Sequence, residues 1–503
     1  MNKSFLLVKE NMQDKYKSTK YIKDVSKDVK RLNELNEARN SLMRSYTPIM
    51  LAFMFLVLVG VMVSSIIGAD SSSIIYIIAG IMCGYMALNI GANDVANNVG
   101  PAVGSKSVTM LGAVILAAIF EVAGAFVAGG DVTSTISKGI INVDENMDSS
   151  IFIITMFSAL FAAAFWLNLA TWVGAPVSTT HSIVGGVMGA GIMALGFNVV
   201  NWSKISSIAA SWVISPVASG IISALFYFAL RHLVLKRENK IKSARFWVPI
   251  YIAIMSSGFT MYLMVKGLKR IIKFDGIVVL MAGAFVLLLV IFLMRPVISR
   301  VSRTMDNTAF NVSKLFQWPL IVSAALLSFA HGANDVANAI GPLAAIVSVA
   351  DTGVIGAKAD IPIWVMFIGA MGISVGLLLF GPKLIREVGE NITRLDRVRA
   401  SCVALSAALT VLIASWLGLP VSSTHIAVGG IFGIGLYREW VDYRKRKALK
   451  EDEDAKHLSK RKLVRRKALI TIASAWVITV PASALLSAGI YLILSNTNFV
   501  NLL

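Results

Sequence analysis

Four polar stretches in this chain have residue types suited to binding ions, and they occur as two matched pairs. The first pair is Gly91-Ala92-Asn93-Asp94-Val95-Ala96-Asn97-Asn98-Val99-Gly100-Pro101 and Gly332-Ala333-Asn334-Asp335-Val336-Ala337-Asn338-Ala339-Ile340-Gly341-Pro342, identical at nine of eleven positions. The second pair is Pro176-Val177-Ser178-Thr179-Thr180-His181 and Pro420-Val421-Ser422-Ser423-Thr424-His425. Asn93, Asp94, Asn97, Asn334, Asp335 and Asn338 offer hard oxygen ligands of the kind that hold small cations. Gly91, Gly100 and Pro101 predict a helix break that frees carbonyls to join them. Cys and His clusters of the kind that bind soft transition metals do not occur. If the coupling ion is sodium, Asp94 and Asp335 are its expected ligands.

The hydroxyl stretches suggest the opposite charge preference. Pro176 and Pro420 suit the start of a helix, where N–H groups lack intrahelical partners and the helix dipole is positive. Ser178, Thr179, Thr180, Ser422, Ser423 and Thr424 add neutral donors around that point, which makes an anion site. The plain structural alternative is that these hydroxyls only cap and back-bond broken helices. An anion beside Asp94 and Asp335 is repelled unless a cation lies between them or a carboxylate carries a proton. The residues therefore predict anion transport coupled to a cation or a proton.

Three further residues are secondary candidates. Glu121 aligns with Ile373 in the duplication, so only one half carries this carboxylate. His181 and His425 stand beside the helix starts and could contact the anion or satisfy backbone groups. His331 stands where the first half has Ile90 and is given no role. Asn168 faces Leu412 and reads as structural.

These residues need a frame, and composition supplies it. Only 15% of the residues are charged and 56% are hydrophobic, with mean hydropathy +0.73; a soluble domain carries nearer a quarter charged residues. Apolar runs of about 20 residues, the length of a membrane-crossing helix, recur along the chain. We expect an all-α polytopic membrane protein with about 11–13 crossings, near 49–68, 74–90, 107–129, 150–173, 176–196, 205–230, 248–266, 276–294, 317–331, 361–380, 400–418, 420–436 and 468–495. The net charge of +19 reads as basic cytoplasmic loops, not as a nucleic-acid-binding surface. Residues 1–48 read as a cytosolic basic amphipathic arm, with Ile22, Val25, Val29 and Leu32 at helical spacing. Basic loops at 231–247, 295–315, 382–399 and 437–467 put the N-terminus in the cytoplasm and the C-terminus outside. One loop, with Lys266, Lys269, Arg270 and Lys273, breaks that pattern. Cys83 and Cys402 read as small core residues.

On this count the two copies of the Gly-Ala-Asn-Asp phrase enter from opposite sides. Inverted-topology repeats with broken or re-entrant helices are a transporter architecture, with the site near the midplane. The repeats are 74–230 and 317–495, the second with a charged cytosolic insertion at 437–467. An extra span at 49–68 and a basic linker with two spans at 231–316 lie outside the duplication. Mates are 241 residues apart at Asp94/Asp335, 244 at His181/His425 and 264 at Trp212/Trp476.

The four motifs, in this order, resemble the inorganic phosphate transporter (Pit) family, which includes type III sodium–phosphate cotransporters and bacterial low-affinity phosphate permeases. Gly381-Pro382-Lys383 and Ile392-Thr393-Arg394-Leu395-Asp396 are also similar to that family's second half. The resemblance implies a symporter of inorganic phosphate with sodium or a proton, working by alternating access, in a plasma (inner) membrane and without other cofactors. It implies that Asn93, Asp94, Asn97, Asn334, Asp335 and Asn338 serve the coupling ion, and that Ser178, Thr179, Thr180, Ser422, Ser423 and Thr424 surround the phosphate. A homodimer is a possible assembly. A sulfate permease on the same fold is the alternative, with an anion channel more distant. Nothing points to an enzyme: Ser178 and His181 are the one tempting nucleophile–base pair, and no nucleotide-binding loop occurs.

Overall fold

In the computed structural model, residues 46–68, 73–142, 148–173, 177–267, 272–352, 361–387, 396–448 and 466–497 are described. The amphipathic arm before residue 46, the acidic run at 451–454, and Ile392–Leu395 lie outside them. The chain divides into two compact units, one ending at Met54 and one covering Phe55–Leu503. Of the first unit the described part is the start of helix α1 (Tyr46–Ile67); every other element belongs to the second.

Eleven helices among the described residues are long and apolar enough to cross a membrane. In chain order the elements that concern the site are α2 (Ile74–Asn93), α3 (Val95–Gly104), α4 (Met110–Ala128), α5 (Gly130–Ser134), α6 (Ser149–Val173), α7 (Thr179–Leu195), α8 (Trp202–Leu230), α9 (Lys240–Tyr262), α10 (Gly276–Val301), α11 (Ala309–Leu315), α12 (Gln317–Thr352), α13 (Ile363–Glu387), α14 (Arg397–Trp416), α15 (Ser423–Ala448) and α16 (Arg466–Ser495). The described residues contain no strand, only an isolated antiparallel bridge between Ile141 and Val200. The most hydrophobic window of α12 is 89% buried and that of α10 only 11%. Helix α12 is therefore the central element and α10 a peripheral one.

The halves pack by exchanging helices. Helix α2 lies on α13, α4 on α12, α7 on α16 and α8 on α15. Small residues permit the approach, as they do between membrane helices generally. A Cβ on Gly91 would overlap the carbonyl of Ile373, and one on Gly332 would overlap the carbonyl of Glu121. Gly91 and Gly332 are mates in the duplication, so Glu121 and Ile373 are mates as well. The packing thus reproduces the alignment read from sequence.

The structure corrects one expectation. Gly91, Gly100 and Pro101 do not break the helix: they lie inside α2 and α3, and in the second copy α12 runs unbroken through the whole phrase, Gly332, Gly341 and Pro342 included. In the first copy the interruption is a single residue, Asp94, between α2 and α3. The 317–331 span is thus half of a longer helix. Pro342 is accommodated because its neighbours are enclosed by other helices that hold the rod together. The true breaks lie at the hydroxyl stretches. Between α14 and α15 the chain reverses at Gly418, whose φ of +64° favours glycine, and Thr135 Oγ1 donates to the Gly418 carbonyl at 2.6 Å.

Candidate functional site

Asp335 stands near the middle of α12, and Asp94 at the junction of α2 and α3. The packing of α2 and α12 brings them together. One oxygen of each carboxylate and a ring nitrogen of His331 all lie within 4.8 Å of one another. Asp94 is 7% exposed and Asp335 2%. At an effective dielectric of 20, two charges that close repel by about 3 kcal/mol. Burial adds a desolvation penalty, so the site needs positive charge or protons.

The hydroxyl helices meet these carboxylates symmetrically. Ser178 caps α7 by accepting from the His181 N–H, and Ser422 caps α15 by accepting from the His425 N–H, both at 3.4 Å. The hydroxyl that follows each cap is buried against a carboxylate. Thr179 Oγ1 donates to Asp94 Oδ2 at 3.1 Å, and Ser423 Oγ donates to Asp335 Oδ2 at 3.1 Å. The next residues cross to the other repeat: Asn97 Nδ2 donates to Thr424 Oγ1 at 2.9 Å, and Asn338 Nδ2 to Thr180 Oγ1 at 3.1 Å. Thr180 in turn donates to the Val421 carbonyl. Two helix N-termini and two carboxylates from opposite halves therefore share one buried network.

The asparagines divide. Asn338 also reaches Thr179 Oγ1 and Asp335 Oδ1, both at 3.3 Å. Its own Oδ1 is buried without a hydrogen-bond partner among the described residues, which suits a hard cation. Asn334 is committed elsewhere: its Nδ2 donates to Ser415 Oγ and the Leu419 carbonyl, and its Oδ1 accepts from Val421 N. It ties the α14–α15 break to α12. Its mate Asn93 is partly buried at the end of α2.

Glu121 is drawn into the site by a residue to which the sequence reading gave no role. His331 Nδ1 is 2.8 Å from Glu121 Oε2, and His331 Nε2 is 2.7 Å from Asp335 Oδ2 one turn on. The second contact is short but too bent for a good hydrogen bond. Asn98 Nδ2 donates to the other Glu121 oxygen at 3.0 Å. The signal was present in the duplication. Glu121 replaces an Ile on one side and His331 replaces an Ile on the other. A buried acid and a buried base that each break the repeat are the expected partners of one another.

His181 and His425 also come together, with ring centroids 5.4 Å apart, and His181 lies 3.8 Å from the ring of Trp212. Trp212 Nε1 donates to the Pro420 carbonyl, so this cluster braces the two helix starts. Asn168 donates to Asn89 Oδ1 and the Ala164 carbonyl, a structural arrangement away from the carboxylates.

A sequence model described as "Phosphate transporter family" matches residues 90–487. A Helicobacter pylori protein described as "Putative phosphate permease" is 40% identical over 525 residues, covering 93% of this chain and 98% of that protein. One from Thermococcus kodakarensis with the same description is 39% identical and covers 81% and 95%. A solved structure titled "The sodium-dependent phosphate transporter" is 37% identical, with a TM-score of 0.75, over 84% of this chain and 99% of that one. A transporter, not an enzyme, is what these matches describe. On the extent of the family match and of these identities, this chain is a multi-pass membrane protein that belongs to the phosphate transporter family.

Proposed function

We propose that the chain is a secondary symporter that carries inorganic phosphate with sodium or a proton, through a site shared by residues 74–230 and 317–495. The observation that carries this reading is the pairing of each hydroxyl helix with a carboxylate, Thr179 with Asp94 and Ser423 with Asp335. The same two hydroxyls would be needed by an oxyanion. Neutralising the carboxylates, by a cation between them or by a proton, frees both hydroxyls and the helix N-termini behind them. The coupling ion thus creates the anion site, and the two solutes travel together.

The residues fit a sodium ion. Asp94, Asp335 and the unpartnered Asn338 Oδ1 are hard oxygens. His331, a poor sodium ligand, serves as the proton-bearing bridge to Glu121. Phosphate is favoured over sulfate because it still carries a proton at neutral pH and can donate to a buried carboxylate. The crossing contacts of Asn97 and Asn338 would let each hydroxyl helix move with the opposite repeat, as alternating access requires, while the Asn334 anchor holds α15 to α12 of its own repeat. The basic loops support a plasma-membrane orientation with the N-terminus cytoplasmic and the C-terminus outside; a homodimer is compatible with this arrangement.

Uptake of labelled phosphate into proteoliposomes, with sodium and proton gradients imposed separately and unlabelled sulfate as competitor, tests the reading. Accumulation above equilibrium under one gradient, resistant to sulfate, is expected. Uptake that equilibrates without accumulation under both gradients would mean a channel, and full competition by sulfate would mean a sulfate permease.

A further inference from the structure

Away from the carboxylates, α8, α9 and α14 enclose an apolar cavity of about 460 Å³ over a floor that includes Leu326 of α12. That volume falls in the range of roughly 300–1,000 Å³ typical of ligand sites. Along α9 the lining runs from Trp247 to Tyr262, about 22 Å of helix at 1.5 Å per residue. A leaflet's hydrocarbon layer is about half of the 30 Å bilayer core, so the cavity is long enough for an acyl chain. Its rim residues Ile254, Ile413 and Trp416 are 56%, 53% and 53% exposed. They lie on membrane-crossing helices, so this side opens to hydrocarbon and not to water.

One end of the cavity carries charge. Tyr262 and Trp416 line it there, and Lys266 Nζ stands 5.7 Å from the centre of the Trp416 ring and 2.6 Å from Asp131 Oδ2. Aromatic rings with a lysine beside them are the usual pattern at the level of lipid headgroups. Lys266 and Lys273 also belong to the one basic loop that breaks the charge pattern of the sequence. A lipid phosphate would give Lys266 a second anionic partner beside Asp131. We propose that this cavity holds one acyl chain of an anionic phospholipid, with its headgroup phosphate at Lys266 and its glycerol region between Tyr262 and Trp416.

Gly258 provides the test, because a Cβ added there meets nothing within 4 Å. Delipidated full-length protein would be melted with added phosphatidylglycerol or phosphatidylcholine, and retained lipid counted by native mass spectrometry. Phosphatidylglycerol should raise Tm more than phosphatidylcholine. Gly258→Phe should keep the lipid-free Tm, retain one phosphatidylglycerol fewer and lose most of the lipid-induced rise. Ala408→Leu, from the opposite wall, should do the same. Lys266→Gln should bind both lipids equally, whereas Asp131→Asn, which leaves the lysine in place, should keep the preference. An unchanged lipid count and Tm rise in both cavity-filling variants overturns the proposal, as does a preference that survives Lys266→Gln. Efficient disulfide formation between copies carrying Leu409→Cys on the cavity wall would put a second copy there instead, and overturns it too.

Discussion

Replacing Asp335 with Asn removes one charge from the site and almost no volume. A cation seated between Asp94 and Asp335 loses one of its two carboxylate partners. At a charge separation of 4 Å and an effective dielectric of 20 that attraction is about 4 kcal/mol, or about a thousandfold in affinity. The ion-free protein gains in contrast, because the repulsion of about 3 kcal/mol between the carboxylates disappears. Two assays separate these effects. In proteoliposomes the sodium concentration for half-maximal phosphate uptake should rise beyond the accessible range, and gradient-driven accumulation should vanish. In detergent the ion-free variant should melt no lower than the wild type, while the rise in Tm produced by sodium, an effect of ligand linkage, should be lost. Accumulation at the wild-type sodium concentration would refute the reasoning. So would a variant that melts several degrees below wild type without ions, because Asp335 would then be structural.

The Glu121–His331 pair should behave as a unit. Glu121→Ile alone leaves the buried His331 Nδ1 without its carboxylate and should destabilise by about 3–5 kcal/mol, while Glu121→Ile with His331→Ile, which copies the mates Ile373 and Ile90, should recover most of that loss; strictly additive Tm changes would count against the pairing. Thr179→Ala and Ser423→Ala should each raise the KM for phosphate roughly tenfold, as expected for a lost hydrogen bond to a charged group of about 1.5 kcal/mol, with Thr179→Ser close to wild type; an unchanged KM would restrict these hydroxyls to helix capping. Asn334→Ala strips the α14–α15 break of three hydrogen bonds and should lower Tm and the maximal rate more than it raises KM, which initial-rate uptake would reveal. Gly332→Val places a side chain against the Glu121 carbonyl, and overpacking of this kind should cost about 3 kcal/mol or more, so little folded protein should emerge on size-exclusion chromatography.

Much of this was legible in the chain. Hydropathy gave eleven of the thirteen expected spans, because crossing a bilayer demands about 20 apolar residues whatever the tertiary context; the stretches at 176–196 and 420–436 are not among the described helices long and apolar enough to cross. The duplication gave the mates, and the packing of Gly91 on Ile373 against Gly332 on Glu121 follows the same alignment. The helix state of the Gly-Ala-Asn-Asp phrase was misread because glycine and proline are breakers only where nothing else holds the rod. Enclosed in the centre of the bundle, α12 absorbs both.

The pairing of chemical roles is where sequence and structure part. Residue types and their repetition marked two carboxylates and two hydroxyl-bearing helix starts within apolar stretches as a site, since a polar residue in an apolar run is improbable without a use. They could not determine which partner each group takes, because the partners are about 80 to 330 residues apart along the chain. Only the tertiary structure decided that Thr180 and Thr424 answer to asparagines of the opposite repeat, that Asn334 is an anchor, and that His331 bridges Glu121 to Asp335. The physical reason is that a buried polar group must be satisfied by whatever the fold brings beside it, and helix exchange between the halves sets those neighbours.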